Sequence, residues 1–223
     1  MAAGSRTPLI AAVVLVVAVA LGYWAYGTKK SSDAGRTAMA LAEETARHLR
    51  DALAVDPGRP SSEAVQAIGE FAAAASRNLE SLKRLDAGRN QPLVDAVDDF
   101  LLTGREILAR QSSGLRFRQQ FLASTQALRE HMRADNRTGA WVKEAVQRKE
   151  RVEKDYRDYQ STVEALDKLL ESFPASVAKA AARSKAAPLV DDRLAAESRS
   201  RWNAALKQAT DEVERIRQFT VPR

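Results

Sequence analysis

Apolar residues recur every three or four positions from about residue 33 to the end of the chain, which is the spacing of one helical face. The first run covers residues 33–55 and stops at Asp56-Pro57-Gly58-Arg59-Pro60, where two prolines and a glycine break any helix. The second starts after Ser61 or Ser62, either of which can cap a helix, and ends at Gly88. No strand pattern of useful length occurs, so the fold class is all-α.

Residues 92–134 carry a third apolar stripe, which continues through Leu108, Leu115 and Leu122. They form either one long helix or two helices that meet near Ser112-Ser113-Gly114. A single glycine costs a helix about 1 kcal/mol relative to alanine, which a long helix can absorb. The pattern therefore favours one long helix.

The clearest repeat lies between residues 140 and 172, where two apolar positions recur every seven residues with Lys149 as the polar exception. Mixed charges occupy the positions between them, which is typical of a coiled-coil seam with a solvated outer face. The predicted helix-packing seam consists of Val142, Ala145, Val152, Tyr156, Tyr159, Val163, Leu166 and Leu170.

The two seam tyrosines, Tyr156 and Tyr159, are bulky for a two-stranded coil. They favour packing inside a multi-helix bundle, with the alanine-rich faces of the first two helices opposite them, over homodimerisation, which stays open as an alternative. Short turns join the helices, and short turns make neighbouring helices antiparallel. The sequence thus predicts an elongated antiparallel helical bundle with coiled-coil-like packing over residues 33–173.

Two prolines divide the end of the chain. Pro174 is expected to end the seam helix, which leaves the alanine-rich, basic residues 174–187 as a linker or a short helix. Pro188 is expected to open a last helix, over residues 188–220, that packs on the bundle.

Residues 8–28 are the one long apolar segment, and they follow a short N-terminal tail, residues 1–7. The run from Pro8 to Gly27 has no charge, and a helix of this length spans about 30 Å, the thickness of a bilayer's hydrocarbon core. Aromatic and lysine side chains at its end suit the headgroup layer. The predicted membrane-interface residues are Tyr23, Trp24, Tyr26, Lys29 and Lys30. We therefore predict a single transmembrane helix with membrane lipid as its partner.

A cleaved secretory signal is the alternative for this segment, because Arg6 precedes the apolar run and Ala18-Val19-Ala20 resembles a cleavage site. The length of the run and its aromatic end favour an uncleaved anchor, single-pass in a bacterial inner membrane. The positive-inside rule leans toward a cytoplasmic domain, whereas a short tail with one arginine before a long apolar run suits export. We expect the helical domain on the extracytoplasmic side.

The composition and charge of the chain limit the classes of function that the sequence supports. Arg6, Lys29 and Lys30 supply half of the formal net charge of +6, so the rest of the chain is nearly balanced, which disfavours nucleic acid as a partner. There is no cysteine, which excludes disulfides and thiolate chemistry. Aromatic residues are only 6% of the chain, which favours slender, closely packed helices over a thick core.

The sequence predicts no catalytic, cofactor-binding or metal site, and therefore no enzyme. Neither histidine, His48 or His131, has the glutamate three residues before it that a di-metal bundle requires. His48 is interpreted as an exposed helix residue beside Glu44. No serine lies in a nucleophile-elbow pattern, and no glycine-rich phosphate loop occurs.

The expected function is protein–protein interaction or scaffolding by a membrane-anchored helical domain. One alternative is a membrane-anchored sensory module that binds a small ligand between helices. A second alternative is an electrostatic binder of anionic lipid or nucleic acid. That binder would be centred on a basic helix face formed by Arg116, Arg118, Arg129 and Arg133.

Overall fold

The computed structural model describes residues 33–133 and 138–218. Within these ranges every regular element is helical, which confirms the all-α prediction for this part of the chain. The helices are α1 (residues 33–53), α2 (Ser62–Lys83), α3 (Gln91–Met132), α4 (Gly139–Ser184) and α5 (Asp192–Gln218). A single 3-10 turn, Gly88–Asn90, leads into α3.

The predicted N-terminal tail and transmembrane helix, including Tyr23, Trp24, Tyr26, Lys29 and Lys30, lie outside the described residues. None of the helices in residues 33–133 and 138–218 is long and apolar enough to cross a membrane.

Local side chains fix several helix ends. The Ser61 hydroxyl accepts a hydrogen bond from the Ala64 amide at 3.1 Å, so Ser61 rather than Ser62 caps α2. Thr138 caps α4 in the same way by accepting from the Trp141 amide. Lys185 ends α4 in the left-handed conformation, with φ of 57°, which interrupts the helical backbone.

The helices alternate in direction, as contacts across α3 demonstrate. Toward one end of the α3–α4 hairpin Phe100 stacks on Phe173, and at the other end His131 stacks on Trp141, so α4 runs antiparallel to α3. The Ser112 hydroxyl donates to the Val65 carbonyl, where α2 passes α3. These contacts confirm a helical bundle.

Helix α1 packs along the first half of α3, and α5 packs along the second half. In the first half of α3, Gly104 lies against Leu49 of α1. In the second half, Gln111 donates to Ser198 of α5 at 3.4 Å, and further along Arg129 pairs with a glutamate of the same helix. Four helices therefore surround the core near residue 100 of α3, and of the described helices α3, α4 and α5 form the far end.

One continuous helix, α3, covers Gln91–Met132, as the single-helix prediction for residues 92–134 expected. Its stripe is buried at Leu108 and Leu115, but Leu122 is 39% exposed, so this part of the predicted stripe is wrong. Gln119, one turn earlier, already reaches the carbonyl of Pro60, ahead of α2. Leu122 lies beyond the point where α3 leaves α2, and α2 therefore does not cover it.

The prediction that Pro174 ends the seam helix is wrong, and residues 174–187 are not a separate linker. Helix α4 runs through Pro174 to Ser184. An interior proline removes one backbone N–H donor and its ring crowds the carbonyl four residues earlier, but the residues that follow Pro174 are mostly strong helix formers. Val177 and Ala180 continue the heptad positions of Leu170 and Phe173, and both are buried. Burial of this continued seam stabilises the helix beyond the proline.

Pro188 does not open the last helix. It lies in the loop before α5, which begins at Asp192, where the Asp191 carboxylate accepts from the Arg193 amide at 2.9 Å. The expected packing of this helix on the bundle is confirmed by the buried indole of Trp202.

Candidate functional site

The predicted seam is internal. Seven of its eight residues are buried between α4 and its neighbours, and Val142 is half-buried. The seam therefore holds the bundle together and is not an exposed surface for a partner. Sequence periodicity identified which face of α4 is buried, because a heptad repeat marks that face directly.

The partners of the two seam tyrosines differ from the expectation. Tyr156 packs on Phe121 of α3 and shares a 2.9 Å hydrogen bond with the Thr210 hydroxyl of α5. Tyr159 packs on Trp202, also of α5. The alanine-rich faces of α1 and α2 do not lie opposite these tyrosines, because α1 and α2 pack along the other half of α3.

The predicted basic face of α3 does not form. Arg118 is only 5% exposed, and Arg129 is engaged by Glu212 at 2.6 Å. Arg116 and Arg133 are separated by 17 positions, or about 25 Å of helix. The four arginines thus do not share one exposed face, because Arg118 is buried and Arg129 and Arg133 lie together at the end of α3, away from Arg116.

Arg118 is instead buried against two aromatic rings. Its guanidinium lies over the rings of Phe121 and Tyr159, 5.6 and 5.5 Å from their centroids. Its Nε and Nη1 atoms have no hydrogen-bond partner among the described residues. Burial lowers the pKa of Arg118, and burial raises the pKa of Tyr159 to about 12. The Tyr159 hydroxyl therefore stays protonated near neutral pH.

Both histidines stack on aromatic rings of a neighbouring helix. His48 stacks on Phe71 with 4.5 Å between ring centroids and is largely buried, so its interpretation as an exposed residue is wrong. His131 Nε2 hydrogen-bonds the Trp141 carbonyl at 3.0 Å, while the Trp141 indole N–H donates to the His131 carbonyl at 3.1 Å. Across residues 33–133 and 138–218, no three His, Asp or Glu side chains assemble as a metal site.

A groove of about 940 Å³ lies between α2 and α4, with α3 as its floor. We call it the α2–α4 groove. It extends along α4 for roughly three helical turns, or about 16 Å. Alanine and serine make up eight of its fourteen lining residues. The small residues that line it are Ala72, Ala73, Ser76, Ala109, Ser113, Ser161, Ala165 and Ser172.

Charged side chains of both signs flank these small residues. Arg105, Glu106 and Arg110 project from α3, and Glu164 and Lys168 project from α4. Arg105 and Glu106 are within 3.8 Å of each other. The net charge of the groove is consequently close to zero. Between its charged edges, the small side chains allow another chain to approach the helix backbones closely.

Sequence reasoning did not identify this groove. Its alanines and serines resemble the residues that fill any solvated helix face, and no local pattern distinguishes them. Only the separation of α2 from α4 across α3 turns them into one concave surface.

No protein-family model matches the chain, and neither a curated protein nor a solved structure is significantly similar to it.

Proposed function

We propose that this chain is a non-enzymatic, single-pass membrane protein whose helical domain binds an α-helix of a partner protein in the α2–α4 groove. The apolar, charge-free run from Pro8 to Gly27 supports the anchor. The observation that carries the binding function is the groove itself, which is long, open and lined by small residues.

The shape of the groove favours a helix as its occupant. A helix that docks between two others needs small residues beneath it, because these let its backbone approach closely. Ala109 and Ala73 are exposed on the floor and one wall, so a ridge of larger side chains could enter between α2 and α4. This is the helix-in-groove mode of recognition.

The charges along the groove favour one position and orientation of a bound helix. Arg110 and Glu164 lie nearer one end, and Glu106 and Lys168 lie nearer the other. A partner helix with opposite charges at matching spacing would gain orientation, since complementary charges contribute mainly to specificity. The occupant should therefore be amphipathic, with mixed charge along both edges of its docking face.

Site-specific photo-crosslinking in native membranes tests the proposal. A photoreactive benzoylphenylalanine replaces Ala109 in the groove, and the matched control replaces Ala204, which is exposed on α5 and outside the groove. We expect a defined protein adduct from position 109 and none from position 204. Mass spectrometry would identify the crosslinked segment, and a synthetic peptide of that segment should become helical on binding the purified chain.

A blocking variant completes the test. Ala165→Trp places a large side chain in the groove and should abolish the adduct, while far-UV circular dichroism confirms that the helices persist. Equal adducts from positions 109 and 204, or an adduct that survives Ala165→Trp, would contradict the proposal.

A further inference from the structure

A second concave site lies at the end of the bundle formed by α3, α4 and α5. We call it the distal pocket. Its interior is apolar and consists of Leu128 and Met132 of α3, Ala145 of α4 and Ile216 of α5. Its volume is about 260 Å³, slightly below the usual range for sites that hold drug-sized ligands. The pocket shares no residue with the α2–α4 groove and does not depend on the function proposed for that groove.

Among the described residues, the charged side chains that line the distal pocket are all cationic: Arg129, Arg133, Lys149 and Arg215. Glu212 lies next to them and engages two of these cations, Arg129 at 2.6 Å and Arg215 at 3.4 Å. The other two cations have no carboxylate within ion-pair distance among the described residues, and Lys149 donates instead to the Arg217 carbonyl at 3.3 Å. Positive charge therefore exceeds negative charge around an apolar interior.

The ends of the helices do not remove this excess. Helices α3 and α5 both end here, and each C-terminus carries roughly half a negative charge. The N-terminus of α4, at the same end, contributes about half a positive charge. Together with Glu212 these dipoles offset less than half of the four cationic charges.

We propose that the distal pocket binds a short-chain amphiphilic anion, with a carboxylate between Arg133 and Lys149 and an alkyl chain against Leu128, Met132 and Ala145. Guanidinium and ammonium groups form charge-assisted hydrogen bonds with a carboxylate. The apolar interior favours burial of the chain, at about 0.8 kcal/mol per methylene. The small volume selects a short, single chain over a diacyl lipid.

The position of the pocket identifies the source of the ligand. Gly35 of α1 lies beside Asn90 and Leu93 at the start of α3, so the predicted anchor joins the bundle at the opposite end from the distal pocket. Helix α3 has 42 residues and is about 60 Å long. An upright bundle would hold the pocket far from the anchoring bilayer, so we propose capture of a monomeric amphiphile.

Calorimetric titration of the full chain in nanodiscs of zwitterionic lipid tests this site, with empty nanodiscs as the blank. The probes are octanoate and octyltrimethylammonium, each below its micelle concentration, and octanol below its solubility limit. We expect saturable binding of octanoate, with at least about tenfold weaker binding of the other two, because they lack the anionic group that the rim recognises.

Two charge-reversal variants separate this pocket from other basic surfaces. Arg133→Glu, at an exposed rim position, should weaken octanoate binding at least about tenfold. Arg110→Glu, on the same helix but in the α2–α4 groove, should leave it unchanged, so the outcome does not depend on whether the groove binds a partner. Equal affinity for all three probes, an unchanged affinity of Arg133→Glu, or octanoate uptake no greater than by empty nanodiscs would overturn the proposal.

Discussion

Gly114 of α3 lies directly against the indole of Trp202 on α5. A Cβ at position 114 would lie 2.8 Å from Cη2 and 2.9 Å from Cζ3 of that ring. The indole is 3% exposed and has little room to move. The absence of a side chain at Gly114 therefore allows α5 to pack closely on α3.

We expect Gly114→Ala to destabilise the chain by about 1–2 kcal/mol, because the overpacking cost exceeds the gain of about 1 kcal/mol in helix propensity. Gly69→Ala is the matched control: its Cβ would lie 3.5 Å from the Ser112 hydroxyl, an ordinary contact, so this variant should gain stability. Urea unfolding followed by far-UV circular dichroism measures both. A stabilised Gly114→Ala chain would show that α5 does not need this close approach.

Pro174 lies inside α4 and lacks the N–H that would donate to the Leu170 carbonyl. Pro174→Ala should restore this hydrogen bond and raise the free energy of unfolding by about 1–3 kcal/mol. Pro188→Ala, in the loop before α5, should instead lower it by about 0.5 kcal/mol, because the unfolded chain gains freedom. Equal effects of the two substitutions in urea unfolding would mean that α4 is interrupted at Pro174.

Arg118 places a cation in the bundle with two unpartnered nitrogens. Arg118→Met should raise the free energy of unfolding by about 1 kcal/mol, since removal of the desolvation cost exceeds the loss of the cation–π contacts. Arg116→Met, at an exposed position two residues away, should change stability little. A marked loss of stability in Arg118→Met, measured by thermal unfolding, would mean that the guanidinium has a stabilising partner.

Asp167 of α4 accepts two hydrogen bonds from Arg199 of α5, at 2.7 and 2.9 Å. The Arg199 hydrogen bonds, with a further one from Asn203, hold the pKa of Asp167 below its usual value of 3.8. Because the pKa of Asp167 is lower in the folded state than in the unfolded state, the charged carboxylate stabilises the fold at pH values above the unfolded-state pKa, near 4. This contribution is lost as the pH falls through the folded-state pKa. Asp167→Asn should therefore cost about 0.5–1 kcal/mol at pH 7, and this cost should shrink as the pH falls toward about 2.

Free energies of unfolding of the unsubstituted chain and of Asp167→Asn, measured across this pH range, test whether the cost of the substitution depends on pH. Asp51→Asn, at an exposed carboxylate without an ion-pair partner among the described residues, is the control and should alter stability little at any pH. A cost of Asp167→Asn that stays constant between pH 7 and about pH 2 would exclude the carboxylate's charge as its source.

The helical periodicity of the sequence determined the fold class and most helix positions. The heptads of α4 identified its buried face, and the Ser61 and Thr138 caps are local interactions that need no tertiary contact. The continuity of α3 through Gly114 followed from helix propensity alone.

Tertiary structure decided the features that matter for function. The spacing of apolar residues reveals which face of a helix is buried, but not which helix covers it or at what height. Leu122 is exposed because α2 does not extend far enough, and α4 continues past Pro174 because Val177 still finds a buried site. The α2–α4 groove and the distal pocket exist only because helices far apart in sequence end or diverge at the same level, which no local pattern encodes.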